Sequence, residues 1–450
     1  MKKILAIFLL LFIFSACRKE YYGTEESSGG AAYTYSGKYV RNYFNLLCNI
    51  SKSTPGFFPP EVARAYGYVG IANYEAVVNG IPGAQSLGGQ LNALAASDIP
   101  SLPQNLQCNW GIASNAAIAD IIRKMFEKKI SAVNAAKIDS TEQANLREMS
   151  VASSPDMVNR SVNFGKQVAA AIYKYSVNDG GHEAYLDPFQ LPYNMPPDPA
   201  CWVPTSATLH PVSPYWGNNR AFIQANVTNT QQYEPTKFSA SPSSDFYKHA
   251  LEVYSQVKKN TPDQVTITKY WSDDPFNTCT PTGHTFNVMT QLLEETNATL
   301  EKSSVAYAKL CLAENDAFIA CWKTKYKSIL IRPVSYIKQY IDPSFTTVIG
   351  TPAFPAFTSG HSVEIGAGSK IFIDMFTSGS GDYSFTDFSQ LQYGFTARHY
   401  NNFNDMASEC ANSRLYGGIH YKEDNTIGLE QGRTVGDIIL KTIHWPQNIR

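Results

Sequence analysis

The chain has 450 residues, 44% of them hydrophobic and 17% charged, and a chain of that size buries roughly three quarters of its unfolded surface on folding. Disorder over most of the length is therefore excluded. Thirty-seven basic against 38 acidic residues leave a formal net charge of −1, so nucleic-acid binding driven by counterion release has no global support and any anion site must be local.

Met1-Lys2-Lys3 and the apolar run Ile4 to Phe14 open the chain. The run is too short to span a hydrocarbon layer, which needs roughly 20 residues, and reads as a secretory signal. It ends in Phe14-Ser15-Ala16-Cys17, which resembles a bacterial lipobox and makes Cys17 the expected lipidation site; the alternative is an ordinary signal with a chance cysteine. Residues 1–17 are then the signal and 18–35 a polar tether. The expected location is a bacterial cell envelope, exported and lipid-anchored. No later segment offers a span of 18 or more apolar residues. Besides Cys17 there are seven cysteines, an odd number with no C-x-x-C pair, so disulfides are permitted but not specified.

Apolar residues recur at helical spacing over 36–50, 60–78, 112–138, 156–176, 245–258, 285–298, 302–326, 361–376 and 425–443. Strand-like alternation is scarce, and the expected class is all-α. Pro59-Pro60 starts one helix and Asn79-Gly80 ends it. From Pro188 to Pro214 eight prolines interrupt the pattern, an irregular segment expected to wrap on the surface near the end of an N-terminal helical half, 36–244, ahead of a C-terminal catalytic helical bundle, 245–450.

Three clusters in the last third carry possible chemistry. Lys325 and Arg332, seven apart before Pro333, lie nearly on one helical face; alone they read as a solvated basic face. Ser359-Gly360-His361 precedes a helical segment and offers a hydroxyl, an unhindered N–H and an imidazole at a positive helix end, or simply an N-cap with a nearby histidine. Ser413-Arg414 is followed by Gly418, His420 and Asp424. Asp424, four after His420, can accept its Nδ1 proton and leave Nε2 as nucleophile or ligand, although a structural His–Asp pair is an equal reading. Together the clusters supply three cations, two neutral donors and two imidazoles, an inventory suited to a tetrahedral oxyanion passing through a five-coordinate state.

These motifs, in this order and spacing, resemble the superfamily joining vanadium-dependent haloperoxidases and type 2 phosphatidic acid phosphatases. Tyr270-Trp271-Ser272-Asp273-Asp274-Pro275 and Thr280-Pro281-Thr282-Gly283-His284 look like the stretch before the first motif in its soluble, haloperoxidase-like members. The resemblance covers 245–443 by motif and implies a large helical bundle of the vanadium chloroperoxidase and acid phosphatase type. It implies that Lys325, Arg332 and Arg414 neutralise the equatorial oxygens, that Ser359 and Gly360 donate to them, that His361 is the acid/base, and that His420, held by Asp424, binds the central atom. It also implies Trp322 as a site neighbour and Asp274 as the carboxylate that pairs with Arg414. Phe354 occupies a position that is commonly His in bromide enzymes and Phe in the chloride-oxidising type. Thr358 departs from the family, which usually has Pro there, so a looser turn is expected.

Two reactions fit the resemblance. In a haloperoxidase the cofactor is vanadate on His420, and hydrogen peroxide oxidises halide with help from His361. In a phosphatase there is no cofactor: His420 attacks phosphorus and His361 serves as acid and then base. The expected partners are small molecules, halide and peroxide or a phosphate ester, with membrane contact only through the lipid anchor. A glycan-binding surface lipoprotein is a remote alternative, since it has no use for these cations and imidazoles together. His182, His210, His249, His284, His399 and His444 lack ligand spacing and read as surface or satisfied core residues. Gly366 and Gly368 read as a point of close helix packing.

Overall fold

The computed structural model describes residues 30–103, 106–205, 210–377 and 379–449. The signal 1–17 with Cys17, and most of the expected tether, lie outside the described residues. In chain order the helices are α1 (Lys38–Ser53), α2 (Pro59–Val77), α3 (Trp110–Phe126), α4 (Ala132–Ser150), α5 (Pro155–Val177), α6 (Gln224–Thr228), α7 (Asp245–Lys259), α8 (Pro262–Tyr270), α9 (Thr280–Glu295), α10 (Leu300–Ser328), α11 (Pro333–Tyr340), α12 (Gly360–Phe376), α13 (Phe403–Tyr416) and α14 (Lys422–Thr442). The strands are a short antiparallel pair, β1 (Phe385–Asp387) and β2 (Arg398–Tyr400), with Phe385 opposite Tyr400. The class is all-α, as expected, and among the described residues no helix is long and apolar enough to cross a membrane.

Local chemistry explains the helix starts. Proline stands in the first turn of α2, α5, α8, α9 and α11, where its missing N–H costs nothing. Asn109, Ser131, Ser154, Ser244, Thr261, Thr299 and Asn402 each accept a backbone N–H from the first turn of the following helix. The expected single run over 112–138 is two helices, α3 and α4, because Ser131 caps a fresh start by accepting from Asn134 N.

The two halves share one core. Phe44 of α1 stacks on Tyr307 of α10 with ring centroids 3.7 Å apart. Buried Asp316 of α10 accepts from Phe222 N at 2.8 Å, Ile223 N at 2.9 Å and Asn226 Nδ2 at 2.7 Å. A disulfide joins Cys48 of α1 to Cys279 at the start of α9, leaving Cys108, Cys201, Cys311, Cys321 and Cys410 free.

The Pro-rich segment is irregular, but a surface wrap does not describe it. Trp202 is fully buried and packs with Val212, Phe58, Ile329 and Phe354, because a large ring in an unpaired segment gains most by burial. Trp202 N donates to Ile329 O at 2.7 Å, and Ile331 N donates to Ala200 O at 2.8 Å. The carbonyl of Val212 accepts from Trp322 Nε1 at 3.2 Å and from Tyr326 Oη at 2.8 Å, so the segment roofs the end of α10.

The roof rests on a carboxyl. Ser213 Oγ donates to Glu61 Oε1 in the first turn of α2, and burial pushes the Glu61 carboxyl up to about 8. A folded-state affinity for the proton above the unfolded one adds stability in full at acid pH, and that contribution fades as pH climbs towards 8. Glu61→Gln should therefore melt near the wild-type temperature at pH 5 and above it at pH 9. Scanning calorimetry at both pH values checks this, and an unchanged difference would contradict it. Glu75 and Glu364, each raised to about 7 by burial, titrate in the same window and keep some pH dependence in the variant.

Candidate active site

Four segments converge beneath this roof. The last turns of α10 bring Trp322 and Lys325 to its C-terminal end, and both are buried. Lys325 Nζ donates to the carbonyls of Pro355 at 2.9 Å and Ala356 at 3.1 Å. Arg332, the N-cap residue of α11, donates from Nε to Phe354 O at 2.8 Å and from Nη1 to Ile419 O at 2.8 Å. Phe354 lies under both cations: its ring centroid is 5.0 Å from Lys325 Nζ and 5.0 Å from Arg332 Cζ. The Trp322 ring stands 5.0 Å from that of Phe354, so aromatic faces supply the cations with a partial counter-charge.

Ser359 is the N-cap of α12, and its backbone N–H donates to Asp424 O at 3.1 Å. Gly360 and His361 follow in the first turn, where backbone N–H groups have no partner inside the helix. Burial, then Arg414, holds the His361 imidazole well below its usual value, opposed by the carbonyl of Ser272. At neutral pH the ring is therefore uncharged.

Arg414 sits at the end of α13, where its Nη1 donates to the carbonyl of Trp271. The expected pairing with Asp274 does not form as an ion pair. That carboxylate reaches Arg414 only through its field, and burial raises its pKa despite the pull of Arg414. A backbone carbonyl has taken the place of a carboxylate, a substitution that residue spacing does not reveal.

After α13 the chain turns through Gly418, which has φ of 78°. A side chain there would be strained by that φ, and its Cβ would meet Val257 Cγ2 at 2.9 Å. The turn delivers His420, whose Nδ1 donates to Asp424 Oδ2 at 3.0 Å while Nε2 accepts from Arg332 Nη1 at 2.9 Å. The partners fix the tautomer: Nδ1 carries the proton and Nε2 keeps its lone pair. Burial, then Arg332, Lys325, Arg414 and His361, keep this imidazole well below its ordinary value. Asp424 Oδ2 also accepts from Tyr421 N at 3.0 Å.

The electrostatics are those of a site for an anion. Burial lowers Lys325 to about 7 and Arg332 to about 9, with Arg332 lowering Lys325 further and Arg414 lowering Arg332. Cations crowded together in a dry site stabilise negative charge brought among them. Arg332 Nη2, Ser359 Oγ, His361 Nε2 and Arg414 Nε are buried side-chain atoms with no protein partner. Buried polar groups are normally paired, and Arg332 Nη2, Ser359 Oγ and Arg414 Nε form a donor set matched to a guest with several acceptor oxygens, while His361, whose Nδ1–H faces the Ser272 carbonyl, turns an unprotonated Nε2 towards it. Vanadate and phosphate have that form, and the residues present fit either.

The structure thus brings together Lys325, Arg332, Ser359, His361, Arg414, His420 and Asp424, with Trp322 and Phe354 at their backs. Thr358 does not loosen the turn: its Oγ1 donates to Gln431 Oε1 at 2.6 Å, and Gln431 Nε2 is tied to Thr230 O at 3.1 Å and Thr324 Oγ1 at 3.0 Å. A hydrogen bond does what the ring of Pro would do. The carbonyls of Trp271 and Ser272 carried no signal in the sequence that singled them out; His284 is a satisfied core histidine, one of the two readings offered for it, but its partners Asp273 and Asp387 were not legible.

This all-α bundle with an oxyanion cradle between two imidazoles defines a class. The family model of the VCPO second helical-bundle domain matches residues 306–447. The crystal structure of the first bacterial vanadium-dependent iodoperoxidase is 30% identical, with a TM-score of 0.81, and covers 92% of this chain and 98% of its own. The holo and apo forms of a bacterial vanadium-dependent chloroperoxidase share the fold at 14% and 15% identity, with TM-scores of 0.65 and 0.64; the matches cover 88% of this chain and 95% and 97% of theirs. No curated protein matches the chain. The chain belongs to the superfamily of vanadium-dependent haloperoxidases and type 2 phosphatidic acid phosphatases.

Proposed function

We propose that the chain is a vanadate-dependent haloperoxidase that uses hydrogen peroxide to oxidise a halide to hypohalous acid. The observation that carries this reading is the set of three unpartnered buried donors, Arg332 Nη2, Ser359 Oγ and Arg414 Nε, and the unpartnered base His361 Nε2, beside an imidazole whose Nε2 is kept unprotonated. Lys325, Arg332 and Arg414 neutralise the anion, Ser359 Oγ and Gly360 N–H donate to it, His420 Nε2 is the ligating nitrogen, and Asp424 holds that ring in its tautomer. His361, uncharged at neutral pH, accepts a proton from the peroxide and returns it to the departing oxygen. Bound vanadate supplies Lewis acidity that activates peroxide towards halide. Trp322, Phe354 and the Trp202 roof exclude water from the cradle. Iodide is the halide to test first, since the 30% identical relative is an iodoperoxidase.

The enzyme is further proposed to be exported and anchored through a lipid on Cys17. The Cys48–Cys279 disulfide supports an oxidising compartment.

Titration calorimetry with orthovanadate should show one site per chain. His420→Ala should weaken binding by about 100-fold. Peroxide-dependent iodide oxidation should appear only after loading. Failure of the wild type to bind vanadate would remove this reading, and metal-free hydrolysis of p-nitrophenyl phosphate that is lost in His361→Ala would replace it with the phosphatase.

A further inference from the structure

Behind the cradle lies a cluster of charges that the proposed reaction does not use. His284 on α9 is 1% exposed. Its Nδ1 lies 2.9 Å from Asp273 Oδ2 and its Nε2 3.0 Å from Asp387 Oδ2 on β1. Each nitrogen faces a carboxylate, which favours a doubly protonated, positively charged ring, and the Gln390 amide packs against the Nδ1 side at 2.7 Å. Burial alone would lower its proton affinity, but Asp273 and then Asp387 outweigh it and raise the value to about 10. Gln390 Nε2 donates to Asp273 Oδ1 at 2.9 Å and Tyr270 Oη donates to Asp387 Oδ2 at 2.7 Å. The Trp271 ring stacks on the imidazole, with centroids 4.4 Å apart and planes at 21°.

An ion cluster sealed in a core has to repay heavy desolvation, and stability is a weak reason for keeping one. What this one holds is backbone. Asp273 has φ of 47°, a left-handed conformation that costs a non-glycine residue on the order of 1 kcal/mol or more and persists only where surroundings impose it. The two residues before it present their carbonyls to the cradle: Trp271 O accepts from Arg414 Nη1, and Ser272 O faces the His361 ring. Trp271 Nε1 also donates to Glu409 at 3.1 Å, tying the same strap to α13, the helix that carries Arg414.

We propose that His284 is a positioning residue for the reaction: by joining Asp273 to Asp387 it locks the strap 271–273 in the turn from which two carbonyls aim Arg414 and His361 at the bound oxyanion. The inference rests on the oxyanion reading given above. Loss of a supporting partner of this kind typically costs 10- to 100-fold in affinity or activity.

The test uses the full chain and two readouts. Orthovanadate and inorganic phosphate affinities are measured by calorimetry. The tautomer of His361 is read from the 15N shifts of its ring, assigned by their disappearance in His361→Gln. Folded His284→Gln should bind both anions about 10-fold or more weakly, and the His361 ring should lose its single Nδ1–H tautomer. Ile439→Val, a core change remote from the strap, should lower the melting temperature without moving either readout. If His284→Gln does not fold, Asp387→Asn decides by the same measurements, with a smaller change of the same sign. Wild-type affinity together with an unmoved His361 spectrum in a folded variant would overturn the inference. If the wild type itself binds no oxyanion, the functional reading has failed, and the His361 spectrum alone still decides whether His284 positions that ring.

Discussion

Asp424→Ala is expected to lower kcat/KM for peroxide-dependent halide oxidation by on the order of 10,000-fold, the scale seen when the carboxylate that holds a catalytic imidazole is disabled. Asp424 Oδ2 accepts from both His420 Nδ1 and Tyr421 N, at 3.0 Å each. Without it nothing keeps the proton on Nδ1, and a proton on Nε2 would point at Arg332 Nη1, itself a donor, 2.9 Å away. Asp424→Asn separates geometry from charge. Its amide oxygen can still accept from both donors, so the tautomer survives, while the carboxyl, which burial pushes up to about 7 against the pull of Lys325 and Arg332, can no longer carry negative charge. About 10- to 100-fold loss is expected there. Vanadate calorimetry and steady-state kinetics on loaded enzyme check both, and an Asp424→Ala enzyme within threefold of wild type would refute the role.

The second large effect is expected at Gly432. A Cβ there would lie 1.9 Å from Val363 O and 2.7 Å from Val363 C, while one at Gly366 would lie 2.7 Å from Leu429 O. Helices α12 and α14 therefore touch backbone to backbone at Gly366, while Gly368 gives the close approach of α12 to Thr285 of α9 and Glu314 of α10. α12 is capped by Ser359 and carries His361; α14 carries Asp424 and begins two residues after His420. Any side chain at 432 pushes the helices apart and separates the two imidazoles. Gly432→Ala should cost about 3 kcal/mol, near the upper end for overpacking, and Gly432→Val should not give a folded, vanadate-binding chain. Gly350→Ala, with nothing within 4 Å of the new Cβ, is the neutral control. Calorimetric melting and vanadate binding read both, and a Gly432→Val protein that melts like wild type would contradict the packing argument.

Much of the cradle was legible because its parts are local. Ser-Gly-His before a helix, and a histidine four residues ahead of an aspartate, are patterns in which one helical turn decides who meets whom. The long helices α2, α5, α10 and α12 declared themselves through proline or Ser/Thr starts and apolar periodicity. Helices α8, α11 and α13 did not. The first two run for only nine and eight residues, too few turns to build a pattern, and α13 mixes polar residues through its buried face. The Arg414 partner was misread because its acceptor is a main-chain carbonyl, which every residue owns and none advertises. His284 looked like an ordinary core histidine for a related reason, since one of its two carboxylates lies 103 positions away on a strand of three residues.

The contact between α1 and α10 bears on how the chain can be divided. A polypeptide beginning at 245 would keep every group of the cradle, yet it would lose the Phe44 ring from Tyr307 and the amides of Phe222 and Ile223 from Asp316. The helix bearing Lys325 would then show water a broad apolar flank and an uncapped buried carboxylate. The halves named from the proline-rich break are thus pages of one fold, and the chemistry of the second depends on the first being closed against it.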